Sequence, residues 1–212
     1  MQLNTRIHPC LQGEKFLLTK MSQNQIFEFE FKLTSFTEER PWLTKIFQEL
    51  HQELNESEKQ LVNGKGFLEL KFQATKKWDQ KFQERLLITG QITGTYSTPC
   101  VKCLELTQQS FDLPLNAIFV SEEFQDDPEY LDQDVTYAFN QELDLYFYHK
   151  KEVFPEQYFK DVVFLNLDPL PLHDANCKGL CQFCGSNLNG DPCPHEEQLK
   201  SLAVELEEYA NP

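Results

Sequence analysis

Nothing in these 212 residues approaches the ~20 consecutive apolar positions that a helix needs to cross a bilayer, and no apolar run near the N-terminus is long enough for a signal peptide. A soluble, cytoplasmic protein is the expectation. Basic residues are scarce as well: 19 Lys and Arg stand against 34 Asp and Glu, for a formal net charge of -15. Coating nucleic acid depends on clustered cations that displace condensed counterions, so any such contact has to be local. The balance reverses only from Lys65 to Arg85, where Lys71, Lys76, Lys77, Lys81 and Arg85 are candidate local contacts. The same stretch also reads as the solvated face of a strand with a basic turn. No internal repeat of useful length is present.

What the chain does have is apolar material: 40% hydrophobic residues and 18 phenylalanines, too aromatic for a disordered protein. Residues 1–20 show neither alternation nor a capped helix, so they read as a poorly ordered or alternative N-terminal extension. From Gln25, Phe27, Phe29, Phe31 and Leu33 alternate with Glu28, Glu30 and Lys32, the period of a half-buried strand. Pro41 opens a helix to about Leu54, with Trp42, Leu43, Ile46, Phe47, Leu50 and Leu54 on one face.

Extended stretches follow around Phe67–Phe72, Phe82–Tyr96 and Leu104–Val120. Gly90 and Gly94 read as bends or bulges, and Pro114 as an interruption. The three form an antiparallel meander with Cys100 in a turn. Residues 121–134 carry seven acidic and no basic residues and read as a loop. Strand-like alternation returns over 135–148, a short helix follows Pro155, and Leu199, Leu202, Leu206 and Tyr209 stripe a final helix. The fold class expected is α+β: an antiparallel sheet, barrel-like if it closes, flanked by helices, with a small Cys-rich, zinc-knuckle-like C-terminal element. The organisation expected is a core domain over 21–170 and a Cys-rich element with a helix over 171–212.

Seven cysteines are present, and in a reducing compartment close spacing favours metal ligands over disulfides. Cys10 stands alone. Cys100/Cys103 and Cys181/Cys184 are both Cys-x2-Cys turns, whose tight backbone points two sulfurs at one centre. Paired with each other they would make a four-cysteine zinc ribbon. A local grouping instead uses Cys181, Cys184, Cys193 and either Cys177 or His195. Spacing leaves both open. The turn-rich Asn187–Pro192 stretch is able to fold the chain back for the local grouping. A thiol–disulfide oxidoreductase using one Cys-x2-Cys pair is the alternative chemistry, but it wants the pair at a helix N-terminus. A catalytic zinc would need an open position and a base, and the lone His173-Asp174 step reads as a turn with a satisfied histidine.

The segment Leu170–Asn189, with its Cys177-Lys178-Gly179-Leu180-Cys181-Gln182-Phe183-Cys184-Gly185 run, and the upstream Cys100-Val101-Lys102-Cys103-Leu104-Glu105 resemble the YceD family of large ribosomal RNA subunit accumulation proteins. The resemblance implies a non-enzymatic factor supporting synthesis, processing or stability of 23S ribosomal RNA, with no small-molecule substrate. Cys100, Cys103, Cys177, Cys181, Cys184 and Cys193 fall on the family's cysteines, and His195 stands where many relatives carry another. The acidic balance then implies a basic ribosomal protein or an assembly factor of the large subunit as partner, docked for example on residues 121–134. Direct RNA contact would fall to the Lys65 to Arg85 region, with Trp78 and Phe82 for stacking.

Overall fold

The computed structural model describes residues 9–34, 41–62, 66–128, 135–138, 141–190 and 193–195. The chain forms two units, Met1–Tyr96 with Ser110–Leu167, and Ser97–Gln109 with Asp168–Pro212. In this division the turn carrying Cys100 belongs with the C-terminal residues.

In the first unit, two short strands, β1 (Leu11–Gln12) and β2 (Lys15–Leu17), make an antiparallel sheet with β9 (Glu152–Val153). The sequence reading begins ordered chain near Met21; here Cys10, Phe16 and Leu18 are already buried. Elements of two or three residues are too short to show a period, which is why alternation did not mark them.

The larger sheet follows the period-two pattern. β3 (Ile26–Leu33) and β4 (Phe67–Asp79) pair antiparallel so that Phe27, Phe29, Phe31 and Leu33 lie opposite Ala74, Phe72, Leu70 and Leu68. All eight point to one face, and Phe29 stacks on Phe72 at 5.1 Å between centroids. The opposite face carries the cross-strand ion pairs Lys71–Glu30 and Lys32–Glu69. β5 (Gln83–Pro99) pairs with β4 in unbroken register through both Phe72↔Gly90 and Leu68↔Gly94, so neither glycine is a bulge. Close approach is the reason for them. A Cβ at Gly90 would lie 2.2 Å from the Lys71 carbonyl oxygen, and one at Gly94 2.5 Å from the Phe111 ring.

β6 (Leu106–Ser121) lies beside β5 and runs through Pro114 without a break. β8 (Gln141–Tyr148) joins β6 only from Ala117 on, so Pro114 sits where β6 is an edge and a missing N–H is tolerated. The pairing of β6 with β8 is parallel, and β7 (Val135–Ala138) closes the order β3-β4-β5-β6-β8-β7 as an antiparallel edge. The expected antiparallel sheet is therefore mixed, and it is an open array with no closed barrel among the described residues.

Helices α1 (Pro41–Glu49) and α3 (Glu156–Leu165) contribute Leu43, Ile46, Phe47, Tyr158, Phe159 and Val163 to the core shared with the inward face. Lys160–Glu49 and Lys45–Glu156 tie the two helices together. α1 ends five residues before Leu54, but tightened turns from His51 to Leu54 keep Leu50 and Leu54 buried. Between α1 and β4 lies α2 (Glu56–Val62), which the apolar pattern did not mark. Its signal is the reciprocal capping box of Asn55 and Glu58, at 2.8 and 3.0 Å. Among the described residues no helix is long and apolar enough to span a membrane. The C-terminal helix expected at 199–209 and residues 129–134 of the acidic stretch lie outside the described residues; of the expected loop, Ser121 ends β6 and Glu122–Phe124 form a 3-10 turn.

Candidate metal centres

Both Cys-x2-Cys turns fold alike. In the first, Cys100 N–H donates to Glu105 O at 2.8 Å and Leu104 N–H to Cys100 O at 2.9 Å; in the second, Cys181 N–H donates to Ser186 O and Gly185 N–H to Cys181 O, each at 2.8 Å. The residue after the second cysteine is left-handed in both, Gly185 at φ 72° and Leu104 at φ 64°. Glycine adopts that region freely, whereas leucine is strained in it. Phe183 N–H and His195 N–H point at the sulfurs of Cys181 and Cys193, 3.4 Å away in each case. These are two knuckles of one design.

The knuckles do not share a centre. Cys100 and Cys103 meet His173 and Cys177, and Cys181 and Cys184 meet Cys193 and His195; within each group the donor atoms lie within 4.8 Å of one another. The long-range ribbon of Cys100/Cys103 with Cys181/Cys184 is thus not the grouping the fold makes. The local grouping is, with His195 rather than Cys177 as the fourth donor. Cys177 goes to the upstream pair together with His173, the residue sequence reasoning set aside. The missed signal was the His173-x3-Cys177 spacing, which brings the donors to eight, enough for two complete sets of four.

Both sets suit a tetrahedral ion. Zinc with Zn–S near 2.3 Å and Zn–N near 2.05 Å requires S···S edges of about 3.8 Å and S···N edges of about 3.6 Å. The first group has Cys100 Sγ–Cys177 Sγ at 3.8 Å and Cys103 Sγ–His173 Nδ1 at 3.1 Å. In the second, Cys184 Sγ–Cys193 Sγ is 3.5 Å, and His195 Nδ1 lies 4.0 and 3.8 Å from the sulfurs of Cys181 and Cys193. His173 is also held as a ligand would be: Nδ1 faces the sulfurs while Nε2 lies 3.5 Å from Glu105 Oε2. A carboxylate behind the far nitrogen fixes the tautomer that leaves the near one free to ligate. Glu105 in turn accepts from Asn187 Nδ2 at 2.7 Å, and Asn189 Nδ2 donates to Cys177 Sγ at 3.4 Å.

The electrostatics of crowded thiols point the same way. Burial raises the Cys100 thiol, but hydrogen bonds from His173 and from the backbone of the turn outweigh it and bring it down to about 5. Burial and the neighbouring Cys100 and Cys177 sulfurs push Cys103 up to about 11. In the second group, Ser186 and His195 bring Cys184 to about 6; Cys193 stands at about 11, where its bond to the His195 backbone is outweighed by burial and by Cys181 and Cys184. One thiolate forms readily in each group and then opposes the next. A divalent cation removes that opposition.

The packing gives such an ion something to do. Among the described residues of this unit, the buried apolar side chains are the cysteines and Pro171, with Leu172 and Leu180 half-buried against the first group. No leucine, valine, isoleucine or phenylalanine is buried among these described residues.

The basic candidates lie in the first unit. Arg85 is 2% exposed, with its guanidinium over Phe82, which is itself buried. Lys76 reaches Glu84 at 3.1 Å and the Leu18 carbonyl at 2.9 Å, and Lys71 lies 3.3 Å from both Glu30 and Glu69. Lys81 lies over the Phe82 ring, and Trp78 is 57% exposed.

A family model described as large ribosomal RNA subunit accumulation protein YceD matches residues 88–205, more than half of the chain. No curated protein and no solved structure matches it. The match runs from β5 through both knuckles and all eight candidate ligands, and on it the chain belongs to the YceD family.

Proposed function

We propose that this protein is a non-enzymatic factor supporting synthesis, processing or stability of the 23S ribosomal RNA in large-subunit biogenesis. Its second unit is stabilised by two structural zinc ions, one on Cys100, Cys103, His173 and Cys177 and one on Cys181, Cys184, Cys193 and His195. The family match over residues 88–205 carries the role. The metal rests on the donor sets together with a cysteine-dominated core, because described residues that bury no leucine, valine, isoleucine or phenylalanine side chain need a cross-link to hold one conformation. Zinc supplies ~10–16 kcal/mol in small finger peptides, enough to organise a segment of this length.

The partner is a basic ribosomal protein or an assembly factor of the large subunit, met in the cytoplasm. The net charge of -15 supports a protein partner over broad RNA coating. A local RNA contact would use the exposed side chains of this stretch, among them Lys71, Lys81 and Trp78. Depletion should lower 23S ribosomal RNA relative to 16S, and the protein should co-sediment with large-subunit precursors. Unchanged 23S levels after depletion would overturn the proposal. A thiol–disulfide oxidoreductase would instead show a metal-free protein with a catalytically competent Cys-x2-Cys pair.

A further inference from the structure

The two donor sets differ in one respect that the shared knuckle design does not require. In the first, Cys100, Cys103 and Cys177 are 0%, 5% and 5% exposed, and Leu172 and Leu180 pack on them. In the second, Cys181 and Cys193 are buried but Cys184 is exposed. The space beside it is open: a Cβ built on Gly185 meets no atom within 4 Å, and the preceding Phe183 is 52% exposed. Cys184 Sγ also has a second sulfur, that of Cys193, 3.5 Å away. An accessible sulfur with a shielded one beside it is the arrangement in which oxidation passes on to a disulfide instead of stopping at one residue.

We infer that the Cys181/Cys184/Cys193/His195 set is a peroxide-sensitive metal site that discharges its ion by forming a Cys184–Cys193 disulfide, while the Cys100/Cys103/His173/Cys177 set keeps its ion. The inference rests on the metal reading above. The Cys184 sulfur attacks one oxygen of hydrogen peroxide, the O–O bond breaks, and Cys184 becomes a sulfenic acid as hydroxide departs. The Cys193 sulfur then attacks the Cys184 sulfur, the S–O bond breaks, and a second hydroxide leaves. Two thiolates have given two electrons to one peroxide, and two protons convert the hydroxides to water. Cys181 and His195 remain as the only donors of that set, too few to hold zinc against solvent. The consequence is a partial switch: one knuckle loosens under oxidant while the other holds.

The test uses the full-length protein purified with its metal. Metal content is measured first; a protein without metal overturns the reading beneath this inference and leaves no ion to release. With two ions bound, one equivalent of hydrogen peroxide is added, release is followed with a chromogenic chelator, and the thiols are mapped by mass spectrometry of a non-reduced digest. The expected result is one ion released per chain, a peptide pair joined through Cys184 and Cys193, and unmodified Cys100, Cys103 and Cys177. A Cys184→His variant keeps a ligand but loses the reactive sulfur, and should retain both ions under the same oxidant. Prior release from the first set, simultaneous release of both ions, or release with no Cys184–Cys193 linkage in the wild-type chain would overturn the inference, and the wild-type mapping stands even if the variant fails to fold.

Discussion

Substituting His173 by alanine tests the partition of donors where the sequence was least informative. The side chain touches three things that matter, the Cys103 sulfur at 3.1 Å through Nδ1, the Cys100 sulfur, and the Glu105 carboxylate at 3.5 Å through Nε2. A complete four-donor zinc site is worth ~10–16 kcal/mol in finger peptides, so removing one donor of four lowers affinity at that site by about 10²- to 10³-fold. Glu105→Gln leaves all four donors and weakens only the support behind the imidazole, for which about 10- to 100-fold is expected. His173→Cys restores a soft donor at the same place and should bring affinity back toward the wild-type value. Competition against chelators of graded strength, read as two separable binding steps, measures all three. The ordering His173→Ala, then Glu105→Gln, then His173→Cys, confined to one of the two steps, is the predicted result. Wild-type affinity in His173→Ala would refute the assignment, as would equal weakening of both steps.

Other outcomes follow from the same structure. Gly90→Ala should destabilise the first unit by about 3 kcal/mol or more in urea unfolding, because backbone atoms 2.2 and 2.5 Å from the new Cβ cannot yield; Gly185→Ala meets open space and should cost about 1 kcal/mol or less, the residue of left-handed strain. Chelation of the full-length protein should open residues 97–109 and 168–195 to protease while the sheet signal in circular dichroism persists, since the first unit has its own aromatic core. Burial holds the His51 imidazole below its usual pKa, against the opposing contact with the Phe47 carbonyl at 2.8 Å. The unfolded chain then binds the proton first, so this contribution is present above pH ~6.5 and is lost as pH falls toward the folded value. The stability gap between wild type and His51→Gln should therefore shrink between pH 7.5 and pH 5; a gap that widens would contradict the sign.

Period-two alternation gave up most of the large sheet, because one face of β3 and β4 is buried and the other is ion-paired, so Phe27 to Leu33 record their own orientation. What alternation does not encode is direction: nothing in Gln141–Tyr148 says that it lies parallel to β6. Glycine in a strand was equally ambiguous, since Gly90 reads the same whether the chain bulges or a neighbour comes close. In the metal region the knuckles were visible because a turn and two sulfurs are local. Their division was not, because His173 reaches Cys103 across 70 positions of sequence and a single histidine among prolines and aspartate carries no period. Leu104 was another local exception, a strained leucine where the sister knuckle has Gly185.

Metal analysis combined with X-ray absorption on the purified full-length protein addresses the central claim most directly. Two zinc ions per chain, each averaging three sulfurs and one nitrogen, is the result expected of two Cys3His sites. A single ion per chain in an all-sulfur shell would restore the long-range ribbon and contradict the account.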